Sequence, residues 1–402
     1  MNVLFITSYW YYANIKSSFV HAQAKALAQQ GAKIRVIIPT PPFSNRIPHG
    51  AIRCSKLLYK EIVDDVEIYY VICLSFSNYG NTVIGKKSIN SYAAIFSLFF
   101  VFKYIFSDYI PNVIHAHAFG LGSEVGEWLK KRLKCPLVTT SHGGDANDLL
   151  DKGKNKALMK SAKGTDLIIT VSKTLEKRLR SNLCEIDMIT NYLGCTSFNG
   201  RVVEIIDTEA LHLVSCSSII SIKRIELIVD ALSKIPPCIK VIWTHLGEGP
   251  LIEKIRAYSE EKLSECKNIN YEFCGFVDNE KVRELYISMG SQLFITTSST
   301  EGLPVSLMEA SSVGIPLMGT AVGGIPEIIK DGHNGYLLSL NPTPEEISEH
   351  IIEYYNLSID ERKMMSKNSQ KVWKRDFDID VCVKNLLLIY DTLIRKKEQN
   401  NG

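Results

Sequence analysis

The stretch Thr296–Leu338 contains the clearest candidates for a functional site. A strand is predicted to end near Thr296, Gly302 permits a tight turn, and Pro304 suits the first position of a helix. In that geometry the main-chain N–H groups of Gly302, Leu303 and Val305 point towards one place. Helix N-termini bind anions because their free N–H groups and the helix dipole both favour negative charge. The pattern therefore predicts a phosphate site.

Two glutamates flank this predicted helix start. Glu301 precedes the helix, and Glu309 lies five residues past Pro304, which is about 7.5 Å along the helix axis at 1.5 Å per residue. Carboxylates placed on either side of a bound diphosphate can hold neutral hydroxyls, one those of a sugar and the other those of a ribose. The alternative is that Glu301 is a surface loop residue and Glu309 a solvated helix position; the EGLP, GIP and GGIPE segments at these offsets favour the site.

The segment resembles the E-x7-E signature of the family-four group of retaining glycosyltransferases of GT-B fold, which includes bacterial polysaccharide and lipid-linked sugar transferases. Most of the chain is similar to that pattern, in the expected order. The matching segments are Ile114–Gly122 (IHAHAFGLG), Ser141–Asp145 (SHGGD), Ser221–Leu232 (SIKRIELIVDAL), His245–Leu251 (HLGEGPL) and Cys274–Val277 (CGFV).

The resemblance implies a role for each matching residue. Glu309 resembles the residue that binds the nucleotide ribose, and Glu301 the one that contacts the donor sugar. Lys223 resembles the lysine that neutralises the diphosphate, with an exposed lysine as the alternative. His117 resembles the histidine near the sugar and the acceptor. The backbone at Phe276 and Val277, after Cys274, is expected to frame the base.

The chemistry of sugar transfer agrees with these roles. Breaking a sugar–phosphate bond develops negative charge on the departing diphosphate, and a fixed cation beside a helix N-terminus stabilises that charge directly. No clustered His/Cys ligand set appears, so no metal and no cofactor are predicted. The expected co-substrate is a UDP-sugar or a GDP-sugar, and the resemblance implies retention at the anomeric carbon.

Histidines at the ends of two predicted strands are candidates for the acceptor side. His117 and His142 both follow strand-like runs, which places them at strand carboxyl ends. A lone histidine is more often structural, but the position at two consecutive strand ends favours a site for at least one of them. Asp145 either holds an acceptor or sugar hydroxyl or caps the next helix.

The sequence departs from the family pattern at two places. An arginine usually stands five positions before the lysine, where this chain has Ser218, and Arg224 is the neighbouring cation that could replace it at the diphosphate. The first loop, SYWYYANIKSSF, lacks the usual glycine pair; Ser17 and Ser18 stand near that place, and Lys16 could supply charge.

Predicted strands and helices alternate along the chain and place these residues. Strands are predicted at 2–7, 33–38, 66–72, 112–116, 136–141, 166–171, 211–216, 239–244, 269–274, 291–296 and 315–319. Helices are predicted near 17–30, 89–106, 121–134, 154–163, 343–357, 360–375 and 379–397. Near-continuous Val/Ile runs indicate parallel sheets that are covered on both faces by helices. We therefore predict an α/β protein with two Rossmann-like domains facing a central cleft. The resemblance implies the GT-B architecture, with an N-terminal acceptor-binding domain, 1–200, and a C-terminal nucleotide-sugar-binding domain, 201–376. The last helix, about 377–402, is expected to cross back to the first domain.

Composition bounds the class of protein. The 402 residues include 46 Lys+Arg and 43 Asp+Glu, with 46% hydrophobic residues, which excludes disordered, collagen-like and polytopic membrane chains. Ten cysteines without C-x-x-C pairs predict reduced core residues in a cytoplasmic protein. The N-terminus MNVLFITSYW lacks a basic region and a cleavage site, and predicts a buried first strand rather than a secretory signal.

Residues 92–106 (YAAIFSLFFVFKYIF) carry seven aromatic side chains and almost no polar face. A fully buried helix over the N-terminal sheet is slightly favoured; the alternative is a helix that lies in the bilayer surface beside a lipid-linked acceptor. Residues 1–200 hold 24 Lys+Arg and 14 Asp+Glu, a charge of +10, which would attract them to anionic lipid. A peripheral position on the inner face of the cell membrane is therefore an open alternative, and no nucleic-acid partner is predicted.

The resemblance implies a hexosyltransferase that acts on a saccharide or lipid-linked oligosaccharide in the synthesis of lipopolysaccharide O-antigen, capsule or exopolysaccharide. Two rivals stay open. One is a nucleotide-sugar epimerase or hydrolase of the same fold, which would act without an acceptor. The other is a catalytically silent donor-binding protein in a polysaccharide-assembly complex, which Ser218 and the missing glycines motivate.

Overall fold

The structure, a computed structural model, describes residues 1–7, 19–41, 57–74, 83–84, 87–150 and 156–401. The chain forms two compact units: unit 1 comprises Met1–Leu193 and Ile379–Gly402, and unit 2 comprises Gly194–Asp378. Each unit is a parallel sheet covered by helices, so the predicted α/β class with two Rossmann-like domains is confirmed.

The elements are numbered in chain order. The strands are β1 Asn2–Ile6, β2 Lys33–Thr40, β3 Leu58–Val63, β4 Val66–Ile72, β5 Val83–Ile84, β6 Lys87–Ser88, β7 Val113–His117, β8 Leu137–Ser141, β9 Leu167–Thr170, β10 Met188–Thr190, β11 Ala210–Cys216, β12 Lys240–Leu246, β13 Ile269–Phe273, β14 Leu293–Thr296, β15 Leu317–Thr320 and β16 Gly335–Leu338. The α-helices are α1 Phe19–Gln29, α2 Ile89–Phe106, α3 Leu121–Leu133, α4 Gly144–Leu150, α5 Lys156–Lys163, α6 Lys173–Arg180, α7 Ile225–Leu232, α8 Ile252–Leu263, α9 Asn279–Ser288, α10 Val305–Ser312, α11 Ile325–Ile328, α12 Pro344–Asn356, α13 Ile359–Val372 and α14 Ile379–Asn401. A 3-10 turn covers Ser221–Lys223, and a π-helical turn covers Trp373–Phe377.

The sheet of unit 1 has the strand order β10-β9-β8-β7-β1-β2-β4-β3. All its pairs are parallel except β3–β4, an antiparallel hairpin at the edge, so the prediction of a wholly parallel sheet is wrong there. Asp64 and Asp65 both have positive φ, 50° and 62°, as a two-residue hairpin turn requires. Strand β3 lies at an edge and alternates between exposed and half-buried residues, so it carries no continuous apolar run in the sequence.

The sheet of unit 2 has the order β13-β12-β11-β14-β15-β16, with every pair parallel. Its core contains Trp243, Leu213 and Ile295, all buried between the sheet and its helices. The reversal of strand order beside β11 places the loops after β11 and β14 next to each other at the carboxyl edge of the sheet, which is where open α/β sheets bind ligands.

Helix α2 differs from the fully buried helix that the sequence favours. Ala94, Leu98 and Ile105 pack into the core beneath the sheet of unit 1. The opposite face exposes five aromatic side chains, namely Tyr92, Phe96, Phe99, Phe100 and Tyr104. The periodicity of an all-apolar helix does not show which face the core covers, and the sheet covers only one.

The cysteines also differ in part from the prediction of core positions. Cys184 and Cys238 are exposed, whereas Cys73, Cys135 and Cys382 are buried. Cysteines in the described part of the chain are all free thiols.

Helix α14 packs on the same face of the sheet of unit 1 as α1. Ile379, Val383, Leu386 and Tyr390 are buried in the same cluster as strand residues such as Phe5. The last helix of the chain is therefore part of the core of unit 1.

We expect Leu386→Ala to destabilise unit 1 by about 2–5 kcal/mol, because it leaves a cavity at a side chain that is 0% exposed. Leu388→Ala, two residues away on the same helix, removes a side chain that is 66% exposed, and should change the stability by less than about 0.5 kcal/mol. Denaturant unfolding of both variants measures the difference. Equal effects would contradict the packing of α14.

Candidate functional site

Five loops of unit 2 follow the carboxyl ends of its parallel strands. They are the segments 217–224 after β11, 247–249 after β12, 274–277 after β13, 297–304 after β14 and 321–324 after β15. Because the strands are parallel, these loops emerge at one edge of the sheet. They contain every residue of unit 2 that the sequence placed in the site except Val305 and Glu309, which lie on α10, directly after the fourth loop.

Lys223 and Glu301 form an ion pair. The Nζ atom of Lys223 lies 2.5 Å from Oε1 of Glu301, and the two side chains are only 19% and 12% exposed. Hydrogen bonds join their loops: the Thr297 hydroxyl donates to the Lys223 carbonyl over 3.0 Å, and the Ser299 N–H donates to the Ile222 carbonyl over 2.8 Å. Lys223 therefore lies largely buried in an ion pair, unlike the exposed lysine that was the alternative.

Helix α10 begins without a capping side chain. Pro304 occupies the N-cap position and has no side chain that can accept a hydrogen bond. Within the part of the chain that the structure describes, the main-chain N–H groups of Gly302, Leu303 and Val305 donate no hydrogen bond. The expected group of unsatisfied donors is thus present directly after Glu301, and an anion would satisfy them.

A glycine behind Glu301 fixes the shape of this loop. Gly323 has φ +52°, and a Cβ atom there would lie 1.8 Å from the carbonyl oxygen of Glu301. The next residue, Gly324, donates its N–H to the Gly302 carbonyl over 2.9 Å. The close approach of the two backbones holds Glu301 in position and explains the GGIPE segment.

Glu309 is buried, so the alternative of a solvated helix position is wrong. Its side chain is 8% exposed, and burial raises the pKa of its carboxyl to about 7, against a smaller opposing effect of Arg283. Among the described residues no side chain or N–H group donates a hydrogen bond to this carboxyl. Buried carboxyls normally have hydrogen-bond partners, so this one is suited to a ligand that brings hydroxyl donors.

The sequence analysis missed Cys216, the last residue of β11. Burial raises the pKa of its thiol to about 12; the nearby Glu309 adds to that effect and Lys223 opposes it, so Cys216 lies within electrostatic reach of both. Tyr286 of α9 also neighbours Cys216 and Glu309. The rule that strand ends carry sites could have identified Cys216, since it closes the strand LHLVSC.

Arg224 is placed differently from what the sequence suggests. Its guanidinium donates to the Thr297 and Ser298 carbonyls over 2.6 and 3.0 Å, and its backbone has φ 48°. The side chain is therefore used to hold the loop after β14. The structure does not support Arg224 as the replacement for the arginine that is absent at Ser218, which is exposed in the turn after β11.

Phe276 and Val277 follow β13 as predicted. Phe276 is 51% exposed, which is high for so large an apolar side chain. The loop is fixed on one side by Gly247, whose N–H donates to the Gly275 carbonyl over 2.8 Å. An exposed aromatic ring beside a fixed backbone is a suitable surface for stacking a planar base.

The predicted first loop, with Lys16, Ser17 and Ser18, lies outside the described residues.

The histidines of unit 1 lie where the sequence places them, His117 at the end of β7 and His142 directly after β8. Nδ1 of His117 is 3.3 Å from Nε2 of His142, and the two rings are stacked with centroids 5.5 Å apart. Burial lowers the pKa of His142 to about 3 and the pKa of His117 well below its usual value, with His115 and His142 adding to the effect on His117. Both rings are therefore neutral at physiological pH. Nε2 of His117 is buried and has no hydrogen-bond partner among the described residues.

A third histidine, His115, supports this pair and was missed by the sequence analysis. Its Nδ1 lies 2.5 Å from the hydroxyl of Tyr390 on α14, and its Nε2 lies 2.6 Å from the hydroxyl of Thr140. The His115 ring is stacked on His117 with centroids 4.4 Å apart. The alternation of strand β7 could have indicated His115, since it shares a face with His117.

Asp145 has a structural role in unit 1. Its Oδ1 accepts hydrogen bonds from the Ser141 hydroxyl and the His142 N–H over 3.0 and 2.9 Å, and its Oδ2 accepts from the Phe119 N–H over 3.0 Å. Of the two alternatives left open, the geometry favours the one in which the carboxylate organises its own loop. The contact with a sugar hydroxyl that was predicted for Asp145 is not favoured, because these donors already occupy the carboxylate.

Two family models match the chain. Residues 201–372 match the model described as "Glycosyl transferases group 1", and residues 17–191 match the model described as "Glycosyltransferase Family 4". The two matches together extend over most of both units.

Curated relatives and solved structures agree with the family models. An uncharacterised glycosyltransferase of Methanocaldococcus jannaschii is 27% identical over 82% of this chain and 91% of its own length. The N-acetyl-alpha-D-glucosaminyl L-malate synthase of Bacillus anthracis is 26% identical over 72% of this chain and 77% of its own. The solved sucrose-phosphate synthase of Thermosynechococcus elongatus has a TM-score of 0.75 at 16% identity, covering 98% and 99% of the two chains. HepE of Anabaena, solved in complex with UDP-glucose, has a TM-score of 0.64 at 15% identity, covering 98% and 100%.

The raised pKa of Glu309 gives a prediction for the ligand-free protein. A carboxyl whose pKa rises from 4.5 to about 7 on folding stabilises the folded state only while it is protonated, and this stabilisation is lost as the pH rises towards 7. Between pH 5 and 8 the wild type should therefore lose about 2–3 kcal/mol of unfolding free energy relative to Glu309→Gln. Denaturant unfolding of both proteins across this range measures the difference.

The control is Glu284→Gln, at an exposed position on α9. This variant should follow the wild-type pH profile. Parallel profiles for the wild type and Glu309→Gln would show that Glu309 is not a buried, partnerless acid.

Proposed function

We propose that this chain, which belongs to the glycosyltransferases of the GT-B fold, transfers a hexose from a nucleotide diphosphate sugar to an acceptor hydroxyl. The observation that carries the proposal is the arrangement in unit 2 of the Lys223–Glu301 ion pair, the uncapped start of α10 and the buried carboxyl of Glu309. These are a cation, a set of N–H donors and two carboxylates, the groups that a nucleotide sugar requires.

Each part of the donor is assigned to one of these groups. The diphosphate binds the N–H groups of Gly302, Leu303 and Val305 and is neutralised by Lys223. The ribose hydroxyls donate to Glu309, which has no other donor among the described residues. The hexose hydroxyls donate to Glu301, and the base stacks on Phe276 beside Val277. HepE, a structural neighbour solved with UDP-glucose, supports a nucleotide sugar as the donor. A thermal-shift screen distinguishes a UDP-sugar from a GDP-sugar.

The reaction breaks the bond between the anomeric carbon and the diphosphate oxygen and forms a bond from that carbon to the acceptor oxygen. We propose retention at the anomeric carbon through attack on the same face, with the acceptor proton passing to the departing phosphate oxygen. The negative charge on the diphosphate is stabilised by the ammonium of Lys223 and the start of α10. These groups suffice without a metal ion.

The acceptor side is assigned to unit 1. His117 presents a buried, neutral Nε2 without a partner in the described residues, and is proposed to bind a hydroxyl of the transferred sugar or of the acceptor, with His142 holding its ring. The acceptor is proposed to be a saccharide or lipid-linked oligosaccharide on the cytoplasmic side, in the synthesis of a surface polysaccharide such as O-antigen, capsule or exopolysaccharide. A relative in Bacillus subtilis, TuaC, named for teichuronic acid biosynthesis, is 25% identical over 88% of this chain and 89% of its own and supports this class.

The test is a transfer assay after a screen of UDP- and GDP-sugars by thermal shift, since a donor that binds only the folded protein raises its melting point. Release of nucleoside diphosphate that depends on added saccharide acceptor, with a new glycosidic product, supports the proposal. Turnover that gives free sugar or an epimer regardless of acceptor would establish the epimerase or hydrolase instead. Donor binding without any turnover would establish the silent binding protein.

Glu309→Ala should weaken donor binding about 10- to 100-fold, because hydrogen bonds to a carboxylate contribute about 1.5–3 kcal/mol. The ribose is held in both the ground and the transition state, so turnover at saturating donor should change little. Titration calorimetry with the donor found in the screen measures the affinity, and Glu284→Ala is the exposed control. Unchanged affinity of Glu309→Ala would refute the ribose assignment.

Lys223→Ala should lower turnover by about 2–4 kcal/mol in activation free energy, which is comparable to the loss of one preorganised donor at the departing charge. Lys240→Ala is the matched control, since its ion pair with Glu209 is exposed. Steady-state kinetics at saturating donor measures both variants. Near-normal turnover of Lys223→Ala would remove Lys223 from the site.

A further inference from the structure

Helix α2 carries an aromatic stripe that none of the described residues of unit 1 covers. The stripe consists of Tyr92, Phe96, Phe99, Phe100 and Tyr104, which are between 43% and 67% exposed. These positions recur at helical spacing, so they form one continuous face along the helix. Monomeric soluble proteins seldom expose so contiguous an apolar surface, and such patches mark interaction sites.

The two charged side chains placed at the stripe itself are both basic. Helix α2 contains no acidic residue, and its only charged side chain, Lys103, is exposed beside Tyr104. Arg132 of α3 lies over the rings of Phe99 and Phe102, with its guanidinium carbon 5.5 Å from each ring centre. In the described part of the chain neither cation forms an ion pair with an acidic side chain. The surface therefore combines apolar rings with uncompensated positive charge.

An apolar groove adjoins the stripe. It is lined by Tyr92, Phe96 and Phe99 on α2 and by Trp128 on α3. Trp128 also packs edge-on against Phe102, so the groove lies between two helices of the same unit. A groove of this kind can take a hydrocarbon chain.

We propose that this face of α2 docks unit 1 on an anionic lipid bilayer, with the aromatic rings in the interface and Lys103 and Arg132 at the headgroups. Aromatic side chains favour the membrane–water interface, and basic residues near the surface bind anionic lipid. The helix is long and apolar enough to span a membrane by length and composition alone. Its other face, however, is buried with Leu98 and Ile105 in the core of unit 1, so it lies on the bilayer and does not cross it.

Charge decides between a bilayer and a second copy of the chain as the occupant. Two copies packed through this face would bury Lys103 and Arg132, which have no acidic partner among the described residues, and burying an unpaired charge opposes association. Anionic headgroups neutralise these cations. Residues 1–200, which form most of unit 1, carry a formal charge of +10, and this adds attraction at longer range.

The inference deepens the proposed function, on which its biological meaning rests, since a protein bound at the bilayer can reach an acceptor that is anchored by a lipid. The binding itself is a separate property. It requires neither the donor nor turnover, so it can be tested without either.

The experiment is co-sedimentation of the full chain, without donor, with vesicles of phosphatidylcholine alone and of phosphatidylcholine with phosphatidylglycerol. The wild type should bind the anionic vesicles, with an affinity that falls steeply as salt increases. Lys103→Gln combined with Arg132→Gln should weaken binding roughly 25-fold, or about fivefold for each cation. Phe96→Ser combined with Phe99→Ser and Phe100→Ser should abolish it.

The matched control is Leu388→Ser on α14, which removes an apolar side chain that is 66% exposed on another face of unit 1 and should leave vesicle binding unchanged. A second measurement uses the fluorescence of Trp128. Lipids brominated in their acyl chains should quench this fluorescence, and the quenching should disappear in the control variant Trp128→Phe. Both proteins carry Trp10→Phe, because Trp10 lies outside the described residues, and Trp243 and Trp373 are buried in unit 2 and should not contribute.

Three results would overturn the proposal. They are the absence of binding to anionic vesicles, wild-type binding by the triple serine variant, and a wild-type dimer that the triple variant converts to a monomer while neither protein binds vesicles. A transfer assay with a water-soluble acceptor keeps the two proposals apart. Transfer without vesicle binding would contradict only the membrane proposal. Vesicle binding without transfer would contradict only the proposed reaction.

Discussion

The ion pair between Lys223 and Glu301 is the interaction on which the candidate site of unit 2 depends. It joins two loops that are 78 residues apart in sequence but adjacent at the carboxyl edge of a parallel sheet. Burying an ammonium or a carboxylate without a partner costs free energy of folding. Each of these two largely buried charges therefore stabilises the other in its position. Further contacts hold the surrounding loops. The side chains of Arg224 and Thr297 each donate a hydrogen bond to the other residue's carbonyl, and Gly323 lets a third loop pack closely against Glu301.

Charge is distributed unequally between the polar clusters of the two units. The cluster of unit 2 keeps a lysine and two carboxyls close to one another. The cluster of unit 1 consists of three imidazoles, and burial keeps the pKa of each far below neutrality. Neutral rings recognise hydroxyls by direction and not by charge, whereas the groups of unit 2 suit a ligand that carries formal charge. This distribution would suit a charged donor at unit 2 and a neutral saccharide at unit 1.

The parts of this structure that the sequence could predict depend on local pattern. The strand 66–72 and the helix 89–106 have the predicted bounds, because an apolar run of the right length determines each. Glu301 and Lys223 could be selected from their motifs, but the bond between them could not, since it depends on how distant strands are ordered in the sheet. For the same reason Cys216 and His115 were missed, and the periodicity of α2 could not show that the core leaves its aromatic face uncovered.

The bond between Tyr390 and His115 has a consequence for how this protein is made. The two residues lie 275 positions apart, with the whole of unit 2 between them in the chain. Domains usually fold in order as they leave the ribosome, the earlier before the later. In this protein the earlier unit includes the last helix, so its histidine cluster is completed only after the later unit has been synthesised. A nascent chain halted before residue 379 would display an open apolar face on its first sheet, a surface on which chaperones can act.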